Sequence, residues 1–416
     1  MREGWKEVNF GDVVQFPPKI SMKKGTIYPF IPMEALASGK KYVKPKEEKA
    51  LTSGGAKFEE GDTLFARITP CLQNGKISQA KNLNGKPGFG STEYFIFRGK
   101  EGITDTDFIY YLTLNNWFKD KAIGSMVGAS GRQRADTNFV RNIEIELPSL
   151  HSQRKIASIL SSYDDLIENN LKRIKLLEEK AQLTYEEWFI KMRFPGYETA
   201  KFDAITGLTE GWEKKMLSEI SHYIGRGISP KYVEEDGFSI INQKCIRDNR
   251  VDKSFCRLTD TSKKILQDKV LQSFDILINS TGTGTLGRVA QILTVNELLT
   301  VDTHVTIVRA GENISKIFLG RSLEYNQERI EKFGKGATNQ IELSRHDLGE
   351  LIVIDLPTLE LQNLYEIKCK PNYQVIDKLI VQNRLLKEAR DILLPRLMSG
   401  MIDVDEVQME TLQTAE

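Results

Sequence analysis

The chain states one pattern twice. Within its 416 residues, Gly4-Trp5 returns as Gly211-Trp212, Gly61-Asp62 as Phe274-Asp275 and Gly75-Lys76 as Gly287-Arg288. Gly128-Ala129 returns as Gly336-Ala337, Gln133 as Gln340, Leu147-Pro148 as Leu356-Pro357, and Asp164 to Asn170 as Asp377 to Asn383. The order is kept and the offset drifts only between 207 and 213 residues. A long period repeated once describes a duplicated domain pair, whereas a solenoid needs three or more short units to bury a continuous core. Two similar bodies on one chain suit a target that itself comes in two halves.

Each copy divides into two parts of different character. The first parts, roughly 1–150 and 208–357, alternate β-branched and aromatic runs with Gly, Pro and Asn, the pattern of strands and turns. Asp62–Arg67, Glu93–Arg98 and Ile143–Leu147 in the first copy match Asp275–Asn279, His304–Arg309 and Leu351–Asp355 in the second. Helices are predicted near Phe108–Asn115 and Ile317–Tyr325, which makes these bodies α+β.

The second parts read as helical. Leu147-Pro148 and Leu356-Pro357 end a strand, because proline stops the ladder and suits the first turn of a helix. Ile156, Leu160, Tyr163, Ile167, Asn170, Ile174, Leu177, Ala181 and Trp188 then fall mostly at the four-three spacing of a heptad seam. Ile376, Leu379, Asn383, Leu386, Leu393 and Leu397 keep compatible spacing, with Arg390 on the seam. Asn170 and Asn383 stand at the equivalent seam position. A polar seam residue costs stability but sets register and partner, so the two helices are expected to pair antiparallel with these asparagines as register marks. A helical hairpin that packs only on its own domain is the alternative. A helix from Ile156 to Ile190 would run roughly 50 Å at 1.5 Å per residue, comparable with the distance of about 34 Å across one turn of DNA. The expected division is 1–150, first body; 151–207, central helix and linker; 208–357, second body; 358–416, C-terminal helix and acidic tail.

A hydrophobic content of 40% with 28% charged residues describes an ordinary soluble chain. It has no apolar run of about 18 residues and no secretory signal at Met1, which places it in the cytoplasm with no membrane contact. Cys71, Cys245, Cys256 and Cys369 are scattered singly and read as reduced thiols. The net charge of +1 conceals local bias: nine lysines face three glutamates from Lys19 to Lys57, and five basic residues face two aspartates from Lys244 to Arg257. The tail from Met401 carries five acids and no base. Basic windows on a neutral chain suit a polyanion touching part of the surface, or else a solvated lysine-rich face.

Signatures of catalysis are missing. Gly282-x-Gly284-x-x-Gly287 follows a strand as a dinucleotide fingerprint would, but Arg288–Ile292 reads as another strand where the motif needs a helix N-terminus. There is no P-loop, no aromatic-ended Asn-Pro-Pro or Asp-Pro-Pro methyltransferase tetrapeptide, and no His-Glu-x-x-His among the four histidines. The sequence reads as a binder that nominates no catalytic residue and no metal ligand.

The duplicated order of body, turn, strand, Leu-Pro-x-Leu-x-x-Gln and long helix resembles the specificity subunit of type I restriction-modification systems. The resemblance covers nearly the whole chain and rests on Gly128-Ala-Ser-Gly-Arg-Gln133 with Gly336-Ala-Thr-Asn-Gln340, Leu147-Pro-Ser-Leu-His-Ser-Gln153 with Leu356-Pro-Thr-Leu-Glu-Leu-Gln362, and the ending Leu393 to Asp403. The first copy departs by carrying Gly131-Arg132 before Gln133. The resemblance implies two target-recognition domains separated by two long helices packed as an antiparallel coiled coil with a pseudo-twofold repeat. Each domain would read one half of a split double-stranded DNA site, and the helices would set the unread spacer. It further implies two methyltransferase subunits supplying S-adenosylmethionine chemistry, and restriction-translocase subunits supplying ATP and Mg chemistry, so that this chain needs no cofactor of its own.

Phosphates are gripped by Lys and Arg, and base edges are read by Arg, Lys, Asn and Gln. The DNA-contact candidates are therefore Lys23, Lys24, Arg67, Asn74, Lys76, Arg132 and Arg134 in the first copy, and Arg226, Lys231, Lys244, Arg247, Arg288 and Lys335 in the second. Gln133 and Gln340 could instead pin their turns. Tyr185, Trp188 and Phe189 are candidates for an exposed partner contact, with seam packing as the alternative. Lys40-Lys-Tyr-Val-Lys-Pro-Lys46 has no counterpart in the second copy, so the half-sites are expected to differ. Two other classes stay open: a coiled-coil protein scaffold that reads no DNA, and the specificity part of a fused restriction and methylation enzyme, against which the start at Met1 inside the first domain argues.

Overall fold

The runs richest in β-branched and aromatic side chains become the central strands. The structure, a computed structural model, describes residues 4–52, 54–129, 131–261, 266–336 and 341–404. In the first unit, built from the chain up to Asn170 and from Gln382 onward, Thr63–Ala66 pairs antiparallel with both Tyr94–Gly99 and Ile77–Ala80. Val14–Gln15 and Tyr42–Val43 complete a five-stranded sheet. All four residues of Thr63–Ala66 are buried, because both faces are covered, as in any strand that reads as a continuous apolar run. Phe65, Phe95 and Phe97 pack with Phe10, Phe16 and Phe118 in one cluster, while Leu64 and Ile96 join Ile31 and Phe58 in another.

The second unit, Leu171–Val381, repeats this plan. Ile276–Asn279 lies between Val305–Ala310 and Val289–Gln291, antiparallel to both. Ile276 and Ile278 face Phe318; Leu277 and Ile307 face Ile241 and Val301. Helices stand close to the predicted places, Thr106–Leu114 capped by Asp105 and Lys316–Tyr325 capped by Ser315. One strand is displaced: Ser344 caps a short helix over Arg345–Leu351, so the strand expected from Leu351 begins at Val353. The glycine-rich segment is a turn between antiparallel strands with no helix after it, and Gly282 holds a φ of +101° where a Cβ would stand 2.3 Å from Gln243 Oε1.

Paired positions kept in both copies have matching structural work. Asp62 is buried and bound side-on by Arg98 at 2.6 and 2.7 Å, and Asp275 by Arg309 at 2.8 and 2.7 Å. Each carboxylate also accepts a backbone N–H, from Glu59 and Gln272. Burial raises the Asp62 carboxyl above its ordinary range, and the Arg98 bonds offset part of that rise. At the Leu-Pro corners, Gln153 Nε2 donates to Pro148 O and Ile103 O while its Oε1 accepts from Asp105 N. Gln362 does the same with Pro357 O and Ser315 N.

The long helices span Leu150–Tyr185 and Leu359–Met398. They pair antiparallel inside each unit, so the compact units cut across the linear four-part division expected from sequence. In the first unit Ile156, Ala157 and Leu160 meet Leu394, Leu397 and Met398, and Asn170 Nδ2 donates to Asn383 Oδ1 at 2.9 Å and Gln382 Oε1 at 3.2 Å. In the second, Ile174, Ala181 and Tyr185 pack with Tyr365, Cys369 and Tyr373. Arg390, the cation on the seam, is only 2% exposed. It is ion-paired with Asp164 and Asp391, and Tyr111 donates to the same Asp164 at 2.6 Å.

Two buried charges in a low-dielectric seam hold only while each has its partner. Replacing Arg390 alone by Leu strands the Asp164 carboxylate and is expected to cost about 3–5 kcal/mol, whereas Arg390→Leu with Asp164→Leu should recover most of that loss. Urea unfolding of both variants beside the parent measures the difference.

Candidate nucleic-acid interface

The central strands of each unit deliver their loops to one edge. In the first unit the chain leaves Thr63–Ala66 through Arg67 into a turn ending near Lys76, and enters Tyr94–Gly99 from Glu93. A third segment, Val127 to Ala135, closes over them: Arg134 bridges both Ile68 and Val127, and Ala135 N donates to Arg67 O at 2.8 Å. Thr69 and Gln133 tie the turn, Thr69 N to Gln133 O at 2.9 Å and Gln133 N to Thr69 Oγ1 at 3.0 Å. Gln133 thus pins the loop through its backbone. Its repeat partner Gln340, with Ala337 to Asn339, lies outside the described residues, as do 405–416 of the acidic tail.

Three charges meet at this edge. Arg134 grips Glu93 with Nε at 2.9 Å and Nη2 at 2.7 Å. Arg67 lies over the Phe95 ring, 4.8 Å from its centroid, with Nε 3.9 Å from Glu93. The Arg134 hydrogen bonds hold the Glu93 carboxyl below its ordinary range, against the upward push of burial. Arg132 is exposed on the same loop. Asn74 is exposed on the neighbouring turn, where Lys76 reaches Met33 O at 3.0 Å. Lys23 and Lys24 are exposed ahead of the strand Ile27–Ile31, and no hydrogen bond or ion pair among the described residues joins their side chains to this group.

The second unit builds the same edge with other side chains. Glu342 bridges Thr281 and Lys335, and Leu343 N donates to Ser280 O at 2.8 Å. Arg226 pairs with Glu342 at 2.6 Å and donates to Leu343 O at 2.9 Å. Lys335 reaches Asp347 at 3.0 Å. Arg288 donates to Gly284 O and Ile246 O, which brings it beside the loop carrying exposed Lys244 and Arg247; Arg247 stacks on Phe255 at 4.0 Å. Lys231 stands apart, paired with Asp260 at 2.9 Å.

The aromatic candidates are corrected in part. Tyr185 and Phe189 are buried among Phe318, Tyr365 and Trp212, so neither presents an exposed contact. The seam spacing becomes four-four at Ala181, Tyr185 and Phe189, where the helix ends in a π-helical turn over Glu186–Ile190, and this turns Trp188 to a half-buried position against Tyr365.

Comparison with known proteins bears on both copies. Residues 2–179 match the type I restriction modification DNA specificity domain. The MjaIX specificity subunit of Methanocaldococcus jannaschii is 25% identical over 94% of this chain and 90% of its own length, and the MjaVIII subunit of the same organism is 25% identical over 97% and 94%. Along nearly its whole length the chain is similar to type I specificity subunits. A solved S subunit from M. genitalium shares the fold, with a TM-score of 0.54 at 18% identity, covering 94% of this chain and 96% of that one.

In this chain the groups that hold the edge cations and order their turns are Glu93, Glu342, Gln243, Thr281 and His304, none of which a search for positive charge would select. A signal for two of them lies in the repeat, since Glu93 and His304 open matched strands. Glu93 also offers a direct check. Its ion pair contributes above the carboxyl's unfolded value, about 4.3, and is lost as pH falls through the depressed folded value. Carboxyl titration by NMR should find Glu93 below the usual glutamate value, and Arg134→Gln should bring it back up.

Proposed function

We propose that this chain is the DNA-reading subunit of a type I restriction-modification complex, in which each unit reads one half of a split, asymmetric site. The observation that carries this reading is the pair of loop edges, each gathering arginines and lysines on the same backbone frame. Arg67, Arg132 and Arg134 form one set; Arg226, Arg288 and Lys335 belong to the other. Guanidinium groups serve both parts of such recognition, gripping phosphates and donating two hydrogen bonds to guanine. Several of these cations are held by the protein's own carboxylates, which a phosphate or a base edge would replace on binding. The chain performs no chemistry in this reading. Two methyltransferase subunits would bring S-adenosylmethionine, and restriction-translocase subunits would bring ATP and Mg.

The helices supply the frame for partners. Leu176 and Leu183 are 64% and 59% exposed and line a shallow groove with Trp188, Lys180 and Lys368. An apolar stripe of this kind on a helix suits a partner helix. Among the described residues no helix is long and apolar enough to cross a membrane.

Binding to duplex DNA, alone or with a modification subunit, should fall steeply and log-linearly as salt rises, because released counterions drive phosphate contacts. Binding that ignores salt, or no binding in either state, would refute DNA reading. Inserting four residues, about one helical turn, into the first long helix should lengthen the unread gap between half-sites. Methylation mapping reads that gap directly, and an unchanged gap would sink the spacer role.

A further inference from the structure

The internal repeat permits a comparison within one molecule: which side chains are kept where the backbone is kept. At the loop edge the backbone is matched bond for bond. Arg67 N donates to Glu93 O at 3.0 Å, and Ser280 N to His304 O at 2.8 Å. Ala135 N donates to Arg67 O and Leu343 N to Ser280 O, both at 2.8 Å. Arg134 bridges Ile68 and Val127, and Glu342 bridges Thr281 and Lys335. Three positions are therefore structurally equivalent: Glu93 with His304, Arg134 with Glu342, and Arg67 with Ser280.

Positions with structural work keep their chemistry across the copies. Asp62 and Asp275 keep their arginines, Arg98 and Arg309, and Gln153 and Gln362 keep their corner bonds. The three edge positions do the opposite. A carboxylate becomes an imidazole, a guanidinium becomes a carboxylate, and a half-buried arginine becomes a serine whose hydroxyl turns inward to Thr306 at 2.5 Å. His304 Nδ1 lies 2.7 Å from Thr281 Oγ1, and the ring is exposed. A fixed frame with exchanged polar tips is what two readers of unlike sequences need, because donor and acceptor patterns distinguish base pairs in the major groove while the groove itself stays the same.

Resting on the DNA-reading function above, we infer that these positions discriminate the two half-sites: Glu93, Arg134 and Arg67 select one, and His304 and Glu342 select the other. Arg134 and Arg67 offer the paired donors that match guanine O6 and N7, and Glu93 offers the acceptor for the cytosine amino group, so the first set suits a G·C pair. In the second set Glu342 is the acceptor and Arg226, paired with it, the donor. The imidazole of His304 can present either.

The complex with its modification subunits, offered duplexes randomised across the site and sequenced after retention, tests this. Glu93→His with Arg134→Glu should shift base preference roughly tenfold or more in one half and leave the other half as in the parent. His304→Glu with Glu342→Arg should do the converse. The single changes Glu93→Gln and His304→Asn give smaller shifts confined to the same halves, and the unaltered half reports that each variant is folded. Unchanged preference in both halves, or disturbance of both by each variant including the single changes, overturns the assignment. A parent complex that enriches no split sequence refutes the functional reading itself, which separates that failure from this one.

Discussion

A single amide at each helix start governs how the rest of a unit is arranged. Gln153 and Gln362 are buried, and each amide both donates and accepts. Each ties the first turn of a long helix to the Leu-Pro corner before it and to the cap of the shorter helix in its own β-rich body. A buried amide left without partners costs more than the bonds it makes contribute, so the geometry that satisfies it is strongly preferred. That geometry sets the direction in which the helix leaves the sheet.

The seam then works on the same principle. Asn170 has its polar partners in Asn383 and Gln382, and Asp164 has Arg390 and Tyr111. Slipping either helix by a turn would leave these groups buried and unpaired. Apolar contacts among Ile156, Leu160, Leu394 and Leu397 supply burial but tolerate displacement, since one leucine fits another's place at modest cost. The polar pairs do not.

Much of the frame is legible in the order of the residues. Alternation marks the central strands to within one or two residues, the Leu-Pro corners locate the helix starts, and Asn170 and Asn383 mark one level of the seam. The candidate site is less legible. Arg134 stands out by its charge, but its grip on Glu93 joins residues 41 apart in sequence. Tyr185 and Phe189 fall outside a strict heptad count and yet are buried, because the seam spacing becomes four-four from Ala181 and runs into the π-helical turn over Glu186–Ile190.

The order of elements, the duplication and the two long helices were determined by the sequence itself, because they rest on periodicity and on local bonds within a few residues. The antiparallel pairing is instead made by contacts far apart along the chain, such as Asn170 with Asn383, 213 residues on. Only the tertiary structure decided that the repeated turns superpose by Arg134 and Glu342, and that these residues close over the matched strand starts at Glu93 and His304. Backbone bridges from Ile68 to Arg134 and from Thr281 to Glu342, segments far apart along the chain, make that equivalence, and a one-residue difference in loop length is enough to hide it from an alignment of the two copies.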